Sequence, residues 1–187
     1  MISLFKSPPY HRVQLTSRGR VRRTFGSMLP DIDGGFILDL GCCVGQTTEE
    51  ISELYPDSRI IGIDISPRVI EESKKRRGDL TFLAADGYLP PFAPETFDII
   101  FAMNNIGYAY EKDPKRLLPV IPKIGRILKN KGCLVVSIGE RYAGYYKDKV
   151  AKKIFSMNVI HNPIYPGRGY VACFLDIEEV LNRKREL

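Results

Sequence analysis

Apolar residues in this chain fall into short runs, the first leading into a glycine turn and the next three each closed by a polar residue. The first is Phe36-Ile37-Leu38-Asp39-Leu40, leading into Gly41, and the second is Arg59-Ile60-Ile61-Gly62-Ile63-Asp64. Leu80-Thr81-Phe82-Leu83-Ala84-Ala85-Asp86 is the third, and Phe97-Asp98-Ile99-Ile100-Phe101-Ala102-Met103-Asn104-Asn105 the fourth. A fifth, Cys133 to Ile138, follows the stop signal Asn130-Lys131-Gly132. Solid runs of this kind, without alternation, mark strands covered on both faces. Between them the period becomes helical. Gln46 to Leu54 puts Ile51 and Leu54 on one side and stops before Pro56, while Ser66-Pro67 caps and opens a helix with Val69 and Ile70 facing inward. Arg116 to Lys129 predicts a helix interrupted near Pro119 and Pro122, and Leu89-Pro90-Pro91-Phe92-Ala93-Pro94-Glu95 a stiff loop. Five strands alternating with helices predict an α/β fold with a doubly wound, mostly parallel sheet.

The polar residues that close the runs carry the candidate chemistry. Gly41 and Gly45 bracket a tight turn where backbone can approach a ligand, and Thr47-Thr48-Glu49-Glu50 reads as the acid-rich first turn of a helix. Asp64 lies 64 − 45 = 19 residues beyond Gly45. An acid at about that distance binds ribose hydroxyls in dinucleotide-type folds. Asp86 closes the third strand and Asn104-Asn105 the fourth, in line with the rule that open α/β sheets bind ligands beyond the carboxyl ends of their strands.

These residues together resemble the class I S-adenosylmethionine-dependent methyltransferase family, which is Rossmann-like. The resemblance rests on Leu38-Asp39-Leu40-Gly41-Cys42 with Gly45, on Gly62-Ile63-Asp64-Ile65-Ser66, on Ala85-Asp86-Gly87 followed by Phe97-Asp98, and on Leu128-Lys129-Asn130-Lys131-Gly132-Cys133-Leu134. It covers roughly residues 35 to 140, and its motifs are specific in combination. One departure is Cys43, where the family usually has glycine. The resemblance implies S-adenosyl-L-methionine as cofactor. Asp39, Gly41 and Gly45 would hold its methionine end, Asp64 its ribose and Asp86 its adenine amino group, with Gly87 and Tyr88 beside the ring. Cys42 and Ile65 belong to the same implied set. Asn104 would line the mouth next to the departing methyl, and it is the sole catalytic candidate. His11 and His161 are the only histidines, and neither sits in a recognisable acid/base pair. A nicotinamide-dependent oxidoreductase would need glycines at positions one, three and six of the turn, but counting from Gly41 finds Cys43 and Gln46. A module that binds S-adenosylmethionine without transferring its methyl is the other alternative.

Composition adds bounds to this picture. With 187 residues, 44% hydrophobic and 27% charged, the chain is sized for one domain with a proper core. No apolar run approaches the ~18 residues of a membrane span, and the first residues lack a signal-peptide pattern, so a cytoplasmic protein is expected. Cys42, Cys43, Cys133 and Cys173 show no metal-ligand spacing, and no metal site is expected. The net charge of +6 is concentrated at one end. Residues 1 to 23 hold Lys6, Arg12, Arg18, Arg20, Arg22 and Arg23 with no acid, leaving 28 − 6 = 22 bases against 22 acids elsewhere. This divides the chain into a basic N-terminal arm, 1–34, and a cofactor-binding domain, 35–187. Val13 to Met28 could form an Arg-rich helix within the arm. Such an arm is either a solvated, partly ordered N-terminus or one suited to an anionic acceptor, a small molecule or RNA. Lys74-Lys75-Arg76-Arg77 closes a helix, where cations complement the dipole.

Past Gly139 the pattern weakens. Tyr142, Tyr145 and Tyr146 with Lys147, Lys149, Lys152 and Lys153 fit an amphipathic helix over Val150, Ile154 and Phe155 better than a base-stacking surface. Asn162-Pro163-Ile164-Tyr165 resembles the base-gripping tetrapeptide of DNA amino-methyltransferases, but it does not follow the fourth strand as that motif does. The family usually ends its sheet with an antiparallel pair. One reading builds that pair from Asn158–Tyr165 and Tyr170–Leu175 around Pro166-Gly167-Arg168-Gly169. The preferred reading lacks the pair, starts a terminal helix at Asp176, and leaves Cys133–Ile138 as an apolar edge to be covered by a homodimer partner or by the C-terminal segment.

Overall fold

The computed structural model describes residues 19–25, 29–103, 120–139, 160–161 and 170–175. Each solid apolar run becomes a strand. β1 (Gly35–Leu40) buries Ile37, Leu38 and Leu40 almost completely, and β2 (Ser58–Asp64) and β4 (Phe97–Met103) flank it in parallel register. β3 (Thr81–Ala84) adds to the far side of β2, and β5 (Leu128–Gly139) to the far side of β4. The chain thus lays β1, β2 and β3 outward in one direction, then returns to place β4 on the other side of β1. That reversal opens a crevice beyond the carboxyl ends of β1 and β4, the place where sheets of this kind receive ligands.

The helices also follow the pattern. α1 (Arg20–Phe25) and α2 (Gln46–Leu54) come first in the chain, and Val21, Phe25, Ile51 and Tyr55 join Ile37, Ile60, Ile99, Phe101, Met103 and Val135 in one core cluster. α3 (Pro67–Arg76) buries Val69, Ile70 and Ser73, and α4 (Ile121–Ile127) buries Ile124 and Ile127. Of the cations that close α3, Arg76 and Arg77 both reach Glu49 of α2, and Arg77 also pairs with Asp79, so they tie helix to helix as well as meeting a dipole. Val21 and Phe25 are 0% and 1% exposed, which puts part of the sequence-defined arm inside the folded unit. The folded unit therefore begins before residue 35.

Two expectations are corrected. Among the described residues the sheet has seven strands, with β6 (Ile160–His161) and β7 (Tyr170–Leu175) completing the order β3-β2-β1-β4-β5-β7-β6. β7 runs antiparallel to β5, Leu134 opposite Leu175 through Gly139 opposite Tyr170, and β6 pairs antiparallel with β7. The version lacking the antiparallel pair is therefore set aside and the hairpin reading restored. The homodimer expectation rested on an open β5 edge, and β7 takes up the hydrogen bonds of that edge. Secondly, β5 begins at Leu128 and not at Cys133, and α4 stops at Ile127. Leu128 pairs with Phe97 and Cys133 with Ile99, so Lys129 to Gly132 bulge opposite Asp98 alone. The terminal helix from Asp176, the Tyr/Lys-rich segment and the Asn162–Tyr165 tetrapeptide lie outside the described residues.

Candidate active site

Beyond β1 the backbone takes three left-handed steps in five residues: Gly41 at φ 78°, Cys43 at φ 49° and Gly45 at φ 80°. Glycine adopts this region freely, whereas at Cys43 the Cβ makes it unfavourable by about 1–2 kcal/mol. Hydrogen bonds to β2 and α3 hold the turn. The N–H groups of Gly41 and Cys42 both donate to the Ile63 carbonyl at 2.8 Å, and the Cys43 N–H donates to Asp64 Oδ2 at 3.1 Å. The Cys43 carbonyl accepts the Ser73 hydroxyl at 2.8 Å.

Asp64 is the pivot of this arrangement. Its Oδ1 accepts the N–H of Ser66 at 2.9 Å, so one carboxylate bridges the β1 turn and the start of α3. Ser66 occupies the N-cap position of α3 with no side-chain cap bond, so the capping role expected of its hydroxyl is absent. Burial raises the pKa of Asp64 above the ordinary aspartate range, opposed by the two amide hydrogen bonds. The Asp64 carbonyl accepts the Ala85 N–H at 2.9 Å, which sets the next turn beside it. In that turn Asp86 is exposed and accepts the Tyr88 N–H at 2.8 Å through Oδ1. Tyr88 is half-buried, its phenol pKa raised by burial first and by Asp86 second. Ile65 and Leu89 are 56% and 64% exposed, an unusual state for large apolar side chains next to a polar turn.

Asp39 is placed differently. It is 1% exposed and accepts the Thr48 hydroxyl at 2.7 Å, tying β1 to the first turn of α2 beneath the surface. The burial of Gly45 also has a packing origin: a Cβ there would stand 2.8 Å from the Phe82 ring, and one at Gly62 would meet the same ring at 2.8 Å and Thr48 at 2.9 Å. Burial pushes the Cys43 thiol up to about 11 and the Cys42 thiol higher still, so both stay protonated at neutral pH. The structure thus brings Gly41, Cys42, Gly45, Asp64, Ile65, Asp86, Gly87 and Tyr88 to adjoining turns, with Asp39 below them. Asn104 lies outside the described residues.

Thr48, Ser73 and Phe82 were not anticipated. For Ser73 a signal existed, because a serine interrupts the inward stripe of Val69 and Ile70 on α3. Thr48 and Phe82 gave none, since their partners lie on other elements.

Comparison with known proteins places the chain in a family. Residues 37–132 match a methyltransferase domain family, and the chain belongs to that family. Among curated relatives, a malonyl-[acyl-carrier protein] O-methyltransferase of Legionella pneumophila is 33% identical over 102 residues, covering 53% of this chain and 34% of the relative. A trans-aconitate 2-methyltransferase of Escherichia coli is 32% identical over 135 residues, covering 72% of this chain and 48% of the relative. The chain therefore spans about a third to a half of these relatives. A solved S-adenosylmethionine-dependent methyltransferase of Aquifex aeolicus superposes with a TM-score of 0.69 at 14% identity, covering 91% of this chain and all of that one, which shows the shared fold. The architecture is that of the Rossmann-like class I methyltransferases.

Proposed function

We propose that this chain transfers the methyl group of S-adenosylmethionine to a small anionic acceptor, with a carboxylate as the receiving group. The observation that carries the cofactor reading is the Asp64 bridge. Each oxygen of that carboxylate accepts one backbone N–H, which fixes its orientation and leaves each oxygen a further lone pair for a ribose hydroxyl. The donor set fits the cofactor elsewhere too. Asp86 Oδ2 has no hydrogen-bond partner among the described residues and suits an adenine amino group. Ile65, Leu89 and the ring of Tyr88 supply apolar surface for the base. Gln46 Oε1, at the first residue of α2, is buried without a partner among the described residues and suits the methionine amino group.

When bound, the cofactor supplies a methyl on a positively charged sulfur, already activated toward nucleophiles. The work left to the chain is to hold it, aim the acceptor and keep water out. A carboxylate acceptor reacts as the anion it already is, so it needs no general base, and the sequence offers no recognisable one. The acids named for the two curated relatives carry carboxylates, and six bases without an acid in residues 1–23 favour an anionic molecule. Asn104 is the candidate for lining the mouth at the transferring methyl.

The test incubates the protein with S-adenosylmethionine labelled in its methyl group and a panel containing trans-aconitate, a malonyl thioester and bulk RNA. A base-labile labelled ester on an acid is expected. Label on RNA would move the acceptor class, and calorimetric binding of the cofactor without transfer to any acceptor would leave a binding module. Tight binding of NAD would overturn the cofactor reading. Removing residues 1–18, which spares buried Val21, is expected to raise the KM for the acceptor more than that for the cofactor.

A further inference from the structure

We infer that Ser73 is a positioning residue of the cofactor turn. It acts through Cys43, by holding a non-glycine residue in the left-handed conformation that the turn requires. This rests on the S-adenosylmethionine reading of the site. Cys43 stands at φ 49° between two left-handed glycines, and its N–H and carbonyl are bound by two different elements. Its N–H is taken by Asp64 of β2, and its carbonyl by Ser73 of α3, 30 residues away. The Cys42 thiol is also 3.6 Å from that carbonyl, but a thiol is a weak donor.

The hydroxyl of Ser73 has one hydrogen and two carbonyls in reach. Val69, at 3.0 Å, is the partner four residues back that a helical serine commonly finds in its own helix. Cys43, at 2.8 Å, is reachable only because α3 packs against the turn. Ser73 is fully buried, so water does not readily replace it as a donor. Without that bond the Cys43 carbonyl keeps only the weak thiol contact of Cys42, and the left-handed state, disfavoured about tenfold for a residue with a Cβ, loses population. A turn that is competent only part of the time binds its ligand with an affinity reduced by that fraction. A glycine at position 43 has no such preference to overcome and would not need the serine.

The experiment is a double-mutant cycle of Ser73→Ala and Cys43→Gly, read by calorimetry with S-adenosylhomocysteine as probe. Ser73→Ala is expected to raise Kd about tenfold, Cys43→Gly to leave it within about twofold, and the double variant to stay within about twofold of Cys43→Gly alone. With a methyl acceptor in hand, Ser73→Ala should raise the cofactor KM while leaving kcat at saturation unchanged. Equal losses in both backgrounds would show that the serine matters only to its own helix, and would overturn the inference. So would a Ser73→Ala protein that binds like wild type. If Ser73→Ala fails to fold but the double variant folds and binds, the inference is supported; if neither folds, it is overturned. Failure of the wild-type chain to bind the probe would instead remove the cofactor reading together with this one.

Discussion

The two ends of the sheet use the same residue type in opposite ways. At the amino end, Asp98 Oδ2 accepts the Phe36 N–H at 2.9 Å, and both its oxygens meet Lys129 Nζ at 2.9 and 3.0 Å. Gly35 makes room for this carboxylate, since a Cβ there would lie 2.6 Å from Oδ2. The carboxylate is answered by a cation and an amide, and that end is closed. At the carboxyl end, Asp64 and Asp86 meet only backbone N–H groups among the described hydrogen bonds. Amides orient a carboxylate without neutralising it, so its acceptor capacity remains for a ligand. An aspartate at a strand end is therefore closed off or open to a ligand according to what faces it, and the strand itself does not distinguish the two.

The largest effect that would sharpen this contrast is expected at Gly45. Gly45→Ala puts a Cβ into left-handed backbone and against Phe82 together, so stability should fall by about 2–5 kcal/mol, with cofactor binding lost. Chemical denaturation and calorimetry check it, and a variant that stays stable would deny that Phe82 packs the turn. Next comes Asp64→Ala, expected to weaken S-adenosylhomocysteine by about 1.5–3 kcal/mol through lost charge-assisted hydrogen bonds. Unchanged affinity would mean that the open end is not the ligand end.

Asp98→Ala supplies the counterpart, with stability lower by about 1–3 kcal/mol and cofactor affinity unaltered. Most of that loss comes from the Phe36 amide, because the Lys129 pair is 40% and 26% exposed and screened accordingly. A loss of affinity equal to that of Asp64→Ala would erase the distinction between the ends. The smallest effect concerns pH. Burial raises the Asp64 pKa in the unliganded fold above its unfolded value, so the stability associated with its protonated form is present at low pH and lost as pH rises through the folded pKa. Ribose hydroxyls donate to the ionised form, so cofactor affinity should be full above that pKa and decline as the pH falls through it. Calorimetry across that range should show the decline in wild type and a flatter profile in Asp64→Asn.

The first four strands, the bounds of α2 at Gln46 and Leu54, the start of α3 at Pro67 and the acids at the ends of β2 and beyond β3 could be read along the chain. Each depends on a local cause: apolar runs, a proline at the first helical position, or a glycine turn. These interactions span a few residues, and the order of residues states them directly. The tertiary structure alone decided that Asp39 lies beneath the turn on Thr48, that Val21 and Phe25 of the basic segment enter the core, and that β7 lines β5. It also decided that Cys43 takes left-handed backbone, with its N–H bonded to Asp64 and its carbonyl to Ser73. Those outcomes depend on which distant groups arrive opposite one another once strand register and helix packing are set, and the local pattern of a sequence carries no record of that register.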